Sequence, residues 1–338
     1  MDPSTVDDTT TTAASEALAD RLEDMAMSAP RHQDGQSGHG KRGGGGKAGK
    51  RGGGGGGGGR EGGRDRREVD LSKALSRLLR HQAGNAGVEL DREGFASLDR
   101  VLQWGPLRSL APAFPEILNA VHNSDKQRFA LKPNPATNPA LDESSTDPSH
   151  WLIRANQGHS IKLDSEHLLK PLAPPSPADG AQPEGTLPIP PVVVHGTYFA
   201  FWPAIVASGG LKPMGRNHVH FSVGLPEDTE AGVISGMRRD AEVLVYVDVA
   251  ASIAEAGIKW WMSDNGVVLT EGAAADGLVP LKYFKLVEGR RQGVGLLWKD
   301  GEKVADLPEG LKFRAPQGKR GGVVEGGVGV AGAGEVSP

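Results

Sequence analysis

Val192-Val193-Val194-His195-Gly196-Thr197 follows directly on residues 171–191, a stretch with eight prolines and no apolar period. Proline fixes φ and has no N–H to donate, so such a stretch reads as a semi-rigid linker. Beyond it the texture is that of strands. Val192-Val193-Val194 and Val243-Leu244-Val245-Tyr246-Val247 are short, apolar, β-branched runs that fit buried strands. Asp264-Asn265-Gly266, between Met262-Ser263 and Val267-Val268-Leu269, is a hairpin turn signal. Trp202, Ile205 and Val206 mark a short helix that stops at Gly209-Gly210. Before the prolines the pattern is helical. Asp70 can cap a helix whose Leu71, Leu75, Leu78 and Leu79 share one face, with Lys73, Arg77 and Arg80 (or His81) on the opposite, charged side. Leu98, Val101 and Leu102 after Ser97 predict a second helix, and Phe114, Ile117, Leu118 and Val121 a third. Phe129-Ala130-Leu131 and Trp151-Leu152-Ile153-Arg154 then read as two strands joined by a long polar loop over 132–150. Three helices and a hairpin are the pattern of a winged helix with an insertion in its wing. The sequence thus predicts an α+β chain: a winged-helix lobe over 69–170, a proline-rich linker over 171–191 and a mostly β lobe over 192–315.

Composition bounds the function. A chain of 338 residues has room for about two domains, and 49 glycines with 24 prolines are too many for a fully packed one. There is no cysteine, which excludes disulfides, thiolate metal sites and a cysteine nucleophile. No run approaches the ~18 apolar residues of a membrane span, and residues 1–12 are polar and acidic rather than signal-like. An intracellular protein, cytoplasmic or nuclear and not secreted or membrane-bound, is the expectation. Charge is uneven. Residues 41–67 carry nine bases against two acids, a net of +7, leaving −11 elsewhere in a chain whose formal net charge is −4. An acidic body must contact nucleic acid through a local patch. The glycine run at 52–59 prevents regular structure, so residues 1–68 form a Gly/Arg-rich tail expected to be disordered, either an RNA-tethering arm or a plain linker. A second disordered tail is expected over 316–338.

Five segments carry the chemistry. They are Leu79-Arg80-His81-Gln82, Ser124-Asp125-Lys126-Gln127-Arg128-Phe129, Ile153-Arg154-Ala155-Asn156-Gln157-Gly158-His159-Ser160, His195-Gly196-Thr197, and Met214-Gly215-Arg216-Asn217-His218-Val219-His220-Phe221-Ser222. Arginine offers a permanent charge and a planar donor fork, which suits a site that grips several phosphates at once. Read singly, each has a plainer explanation. Arg128 after Asp125 fits a loop ion pair, Arg216 a strand decoration, and His159-Ser160 a turn with a local backbone bond.

In this order and together, the five segments resemble the RNA 2′-phosphotransferase family, enzymes that remove a splice-junction 2′-phosphate from RNA using NAD. The likeness runs over about 69–286 on both lobes. It implies a catalytic set of Arg80, His81, Arg128 and Arg216. It also implies NAD as a consumed cosubstrate, no metal, a tRNA with an internal 2′-phosphate as partner, and a monomer. Two steps are implied: the 2′-phosphate attacks the NAD ribose carbon and nicotinamide leaves. The neighbouring ribose hydroxyl then attacks phosphorus, freeing 2′-hydroxyl RNA and ADP-ribose cyclic phosphate. Among the implied side chains only an imidazole exchanges a proton near neutrality, which gives His81 the acid/base or hydroxyl-orienting role.

The second lobe also resembles the ADP-ribosyltransferase fold, in which a His-Gly-Thr strand holds NAD. His195, Gly196 and Thr197 match it, Gly196 by letting backbone approach the ligand. Arg154, Asn156, Gln157, Gly158, His159, Ser160 and Ser222 join the implied NAD-binding set. Protein-modifying members carry a Glu in the late hairpin. This chain has Asn265-Gly266-Val267-Val268-Leu269-Thr270 there, with no acid before Glu271. A phosphate monoester is already mostly dianionic, so it needs cations to position it rather than a carboxylate to deprotonate it. Two other classes stay open: capping of terminal RNA or DNA phosphates by the same chemistry, and a non-catalytic RNA-binding module.

Overall fold

A computed structural model of the protein describes residues 61–124, 126–225, 236–238 and 240–312. The tail expected over 316–338, and the first sixty residues of the other, lie outside the described residues. The molecule is a mixed helix-and-sheet, α+β protein.

Among the described residues the first helix, α1 (Glu61–Arg77), starts well before residue 69 and runs into a π-helical turn at Leu78–Gln82. Asp70 therefore lies inside the helix and does not cap it. The earlier start has a visible anchor: Arg67 donates to both carboxylate oxygens of Glu116, at 2.6 and 3.0 Å, and to the carbonyl of Leu110 at 2.9 Å. Leu71, Leu75, Leu78 and Leu79 are buried, as their spacing predicts. Arg80 corrects the reading of a charged outer side, because it is fully buried. Its carbonyl accepts from the backbone N–H groups of Ser160 and Ile161 at 3.1 and 3.2 Å, so the chain after the hairpin covers that side of the helix.

The rest of this half comprises β1 (Ala96–Ser97), α2 (Leu98–Gln103), α3 (Gly105–Leu110), α4 (Phe114–His122), β2 (Phe129–Pro133) and β3 (Trp151–Ala155). Among the described residues four helices thus precede the hairpin instead of three. The additional one, α3, begins at Gly105-Pro106, where proline occupies a first-turn position that needs no N–H. The strands form an antiparallel sheet in the order β1-β3-β2, with Phe129 opposite Ala155 and Ala130 opposite Arg154. Leu75, Leu98, Ile117 and Ile153 fill the core between helices and sheet.

The second half contains α5 (Ser165–Leu168), β4 (Lys170–Ala173), β5 (Leu187–Pro188), β6 (Val194–Thr197), α6 (Trp202–Ala207), β7 (Gly210–Leu211) and β8 (Val219–Phe221). After them come β9 (Val243–Val247), α7 (Val249–Ala256), β10 (Trp261–Met262), β11 (Val268–Thr270) and β12 (Val279–Pro280). The last three are β13 (Phe284–Gly289), β14 (Gly295–Lys299) and β15 (Glu302–Lys303). Among the described residues they form two five-stranded sheets, ordered β5-β4-β10-β11-β8 and β15-β14-β13-β9-β6. An isolated bridge between Val194 and Ser222 ties the end strands β6 and β8 together. Phe199, Phe221, Trp260 and Phe284 pack in the shared core.

The reading of 171–191 as a linker changes at both of its ends. Pro171 pairs with Trp261 in β10, and Leu187 pairs in parallel with Leu172. Pro188 lies in β5, an edge strand, where a missing N–H leaves no ladder bond unmade, and Pro171 precedes Leu172 and Ala173, the β4 residues that pair with β5.

Candidate active site

The π turn at Leu78–Gln82 places Arg80 and His81 on neighbouring positions against the segment that leaves β3. A π turn is a widened loop of helix that often sits at functional sites. His81 Nδ1 shares a 2.9 Å hydrogen bond with the hydroxyl of Ser160. Gly158 has φ +90°, and a Cβ there would lie 3.3 Å from the Arg80 guanidinium. The conformation calls for glycine, and the arginine passing directly over it leaves a side chain little room.

His159 follows, almost wholly buried. Burial first, and then the charges of Arg80, His218 and His81, hold its imidazole down to a pKa of about 3. It is therefore neutral at physiological pH. Its Nε2 has no hydrogen-bond partner among the described residues, and the same holds for Asn156 Oδ1, Gln157 Oε1 and Ser222 Oγ. Buried polar atoms in folded proteins are normally satisfied, so these point to a polar ligand.

The Arg128 loop and the Arg216 loop reach this cluster through backbone bonds. Arg128 O accepts from the N–H of Asn156 at 2.9 Å. The N–H of Asn217 donates to His159 O at 2.9 Å, and its side-chain amide donates to Ile161 O at 2.7 Å. The residue after Arg216, which is itself half-buried, is thereby bonded to His159 although it comes from the other half of the chain. Arg154 is fixed rather than reaching outward. Its guanidinium donates to Glu93 O and to Asp264, and stacks 4.7 Å above the Phe95 ring.

From Asn217 the chain enters β8, which leads to the second group of residues. His195 Nδ1 donates to His220 O at 2.9 Å, which leaves Nε2 as the lone-pair nitrogen. Burial lowers the His195 pKa, favouring that neutral form. Ser222 exchanges backbone bonds with Val194, at 2.8 and 3.0 Å. His220 is three residues from Asn217, on the order of 10 Å at strand rise. Thr197 is buried, with its carbonyl accepting from the Glu242 N–H. Gly196 has a reason in the protein's own packing. A Cβ there would lie 2.6 Å from the Met237 side chain and 2.9 Å from Ala241 Cβ, so the protein's own packing demands glycine.

Glu271 does not take the place of the absent hairpin acid. It accepts from the Ser165 hydroxyl at 2.5 Å, which in turn accepts from His218 Nε2 at 2.8 Å. Among the described residues, no group of three or more His, Asp or Glu side chains is placed to hold a metal ion, and no helix is long and apolar enough to cross a membrane. Asn217 and Asn265, the side chains that pin the loops, carried no role in the sequence reading. Their signal was present, since both lie inside quoted turn segments as amides that can bond backbone.

Comparison with known proteins bears on the same residues. Residues 66–272 match the family model described as RNA 2′-phosphotransferase, Tpt1 / KptA family. The chain is 42% identical over 219 residues to tRNA 2′-phosphotransferase 1 of Bos taurus, covering 65% of this chain and 74% of that one. It is 39% identical over 219 residues to the Homo sapiens protein of the same name, covering 65% and 75%. To tRNA 2′-phosphotransferase of Saccharomyces cerevisiae it is 34% identical over 209 residues, covering 61% and 80%.

Proposed function

This chain belongs to the RNA 2′-phosphotransferase, Tpt1 / KptA family of transferases, and on that premise we propose that it uses NAD to clear an internal 2′-phosphate from tRNA. The observation that carries the proposal is the docking of the Arg216 loop onto the Arg80–His159 cluster through the Asn217–His159 bond. It brings the backbone next to Arg216, from the second half of the chain, against His159 of the first. We assign the first half to a winged-helix lobe that presents RNA, and the second to an ADP-ribosyltransferase-like lobe that binds NAD.

The residues present suit NAD. His195 and Thr197 lie on β6 and Ser222 just beyond β8, and a neutral His195 with a lone pair on Nε2 can accept from a ribose hydroxyl. When bound, NAD supplies the ribose carbon that receives the phosphate and nicotinamide as leaving group. Arg80, Arg128 and Arg216 would hold the transferring phosphate, the electrostatic positioning on which phosphoryl chemistry depends. His81, steadied by Ser160, is the group able to move a proton to or from a ribose hydroxyl. His159 stays neutral, so it adds a hydrogen bond rather than a charge.

The direct test is to incubate the protein with NAD and a 2′-phosphorylated oligonucleotide while following nicotinamide and the RNA end product. Nicotinamide release dependent on the 2′-phosphate, about one per phosphate removed as the two-step scheme requires, is expected. Turnover without NAD would overturn the proposal. Stable ADP-ribose on the RNA would replace it with a capping activity.

A further inference from the structure

Three consecutive carbonyls ahead of β2 are each held by an amide. Lys126 O accepts from Asn265 Nδ2 at 2.9 Å, Gln127 O from Asn156 Nδ2 at 2.8 Å, and Arg128 O from the Asn156 N–H at 2.9 Å. Gln127 sits at φ 42°, a left-handed conformation that a non-glycine residue keeps only under outside constraint. Two of the three bonds come from the end of β3, on the same half of the chain. The third comes from the other half, from the tip of the β10–β11 hairpin.

Asn265 is well placed for this. It is buried, and its Oδ1 accepts from the Ser263 hydroxyl at 2.8 Å, which fixes which end of the amide faces Lys126. Its neighbour Asp264 reaches across the same boundary to Arg154. The hairpin tip is thus anchored to the first half by two adjacent side chains, one of them on the Arg128 loop.

We infer that Asn265 is a positioning residue for Arg128, registering the phosphate-gripping loop of one lobe against the hairpin of the other. The inference rests on the role proposed above for Arg128. It gives the hairpin a task in phosphate placement, carried by the amide of its turn, while the neighbouring Asp264 carboxylate is engaged by Arg154. A loop held at three successive carbonyls has little freedom to let the guanidinium drift. Release of the Lys126 carbonyl leaves the strained Gln127 turn held from one side only.

Asn265→Asp is the sharpest variant. It keeps the Oδ1 acceptor for Ser263 and the side-chain size, and puts an acceptor where the Lys126 carbonyl needs a donor. Single-turnover dephosphorylation of a 2′-phosphorylated oligonucleotide at saturating NAD should slow by about ten- to a hundredfold, the scale of a small misplacement. Without NAD, preference for the 2′-phosphorylated oligonucleotide over its 2′-hydroxyl counterpart should fall, while KM for NAD stays the same. Asn265→Gln, which retains the donor, should recover part of the rate. In an Arg128→Lys background Asn265→Asp should cost much less than in wild type, because the two act through one geometry. If Asn265→Asp lowers the melting temperature markedly, Asn265→Ala carries the same expectations.

Wild-type turnover and phosphate preference in a folded variant would overturn the inference. So would equal costs in the two backgrounds, or an effect confined to KM for NAD. Arg128→Ala separates this from the reading beneath it. An active Arg128→Ala sinks the phosphate role itself, whereas an inactive Arg128→Ala with fully active Asn265→Asp sinks only the inference.

Discussion

At the scale of single residues, His159 is enclosed so completely that its imidazole is held near pKa 3, against an ordinary 6.5. The unfolded chain binds a proton there that the folded chain refuses. The stabilisation is therefore complete above pH 6.5 and is lost as pH falls from there towards 3. Between pH 7 and 5 the loss amounts to about 2 kcal/mol. His195 and His218, also lowered by burial, act in the same direction. Unfolding free energy measured by urea titration at pH 7 and pH 5 should show the drop, and His159→Gln should flatten it. A pH-independent midpoint would contradict the burial. Arg216→Ala should abolish nearly all phosphate transfer in a folded protein. Arg216→Lys should restore only part, since a point charge lacks the two-pronged fork. Near-wild-type turnover in the alanine variant would remove Arg216 from the site. Gly196→Ala should cost about 1–3 kcal/mol by overpacking against Ala241. Unchanged thermal stability would return the glycine to a ligand-contact explanation.

Elements explain why residues from distant segments meet. The β8 strand begins just after the Asn217–His159 bond and ends at the Ser222–Val194 bridge, so one short strand spans from the arginine cluster to the His195 strand. The π turn at Leu78–Gln82 turns Arg80 and His81 towards the chain leaving β3. Neither feature has a periodic sequence signature. The sheets should differ in local stability. β9 lies between β6 and β13 and is buried along most of its length, whereas β15 is an exposed edge. Hydrogen exchange should accordingly be slowest in Val243–Val247 and fast in Glu302–Lys303. Exchange in β9 as fast as in β15 would refute this order. The proline-rich stretch between α5 and β6 misled the sequence reading for a related reason. Composition reports which backbone donors are missing, but only sheet order tells whether a neighbouring strand needs them.

For the whole molecule, the family match begins at residue 66 and α1 is pinned by Arg67 to Glu116 and Leu110. A chain shortened to start at residue 61 retains that clamp and all the matched segments. It should keep its maximal rate at saturating RNA, with any loss appearing as weaker RNA binding at low salt that disappears as salt rises. A chain starting at Asp70 lacks the clamp and should melt at a lower temperature. Turnover against RNA concentration at two ionic strengths, together with melting curves, distinguishes these outcomes. A large fall in maximal rate on removing only residues 1–60 would place that segment in the active site.

The sequence by itself determined the alternation of element types, because apolar periods of about 3.6 and 2 and the turn residues between them are local properties. It also marked the chemistry, since arginine forks beside glycines are legible one segment at a time. Leu71, Leu75, Leu78 and Leu79 lie where their spacing put them, and the hairpin turns at Asp264-Asn265-Gly266. Tertiary structure alone decided which side of α1 is solvent, that Gly196 answers to packing, and that prolines at 171 and 188 join a sheet. It also decided that Asn217 and Asn265 join the halves. These depend on what lies across the gap from each residue, often more than fifty positions away in the chain. A single amide donating to a carbonyl leaves no pattern in the residues beside it.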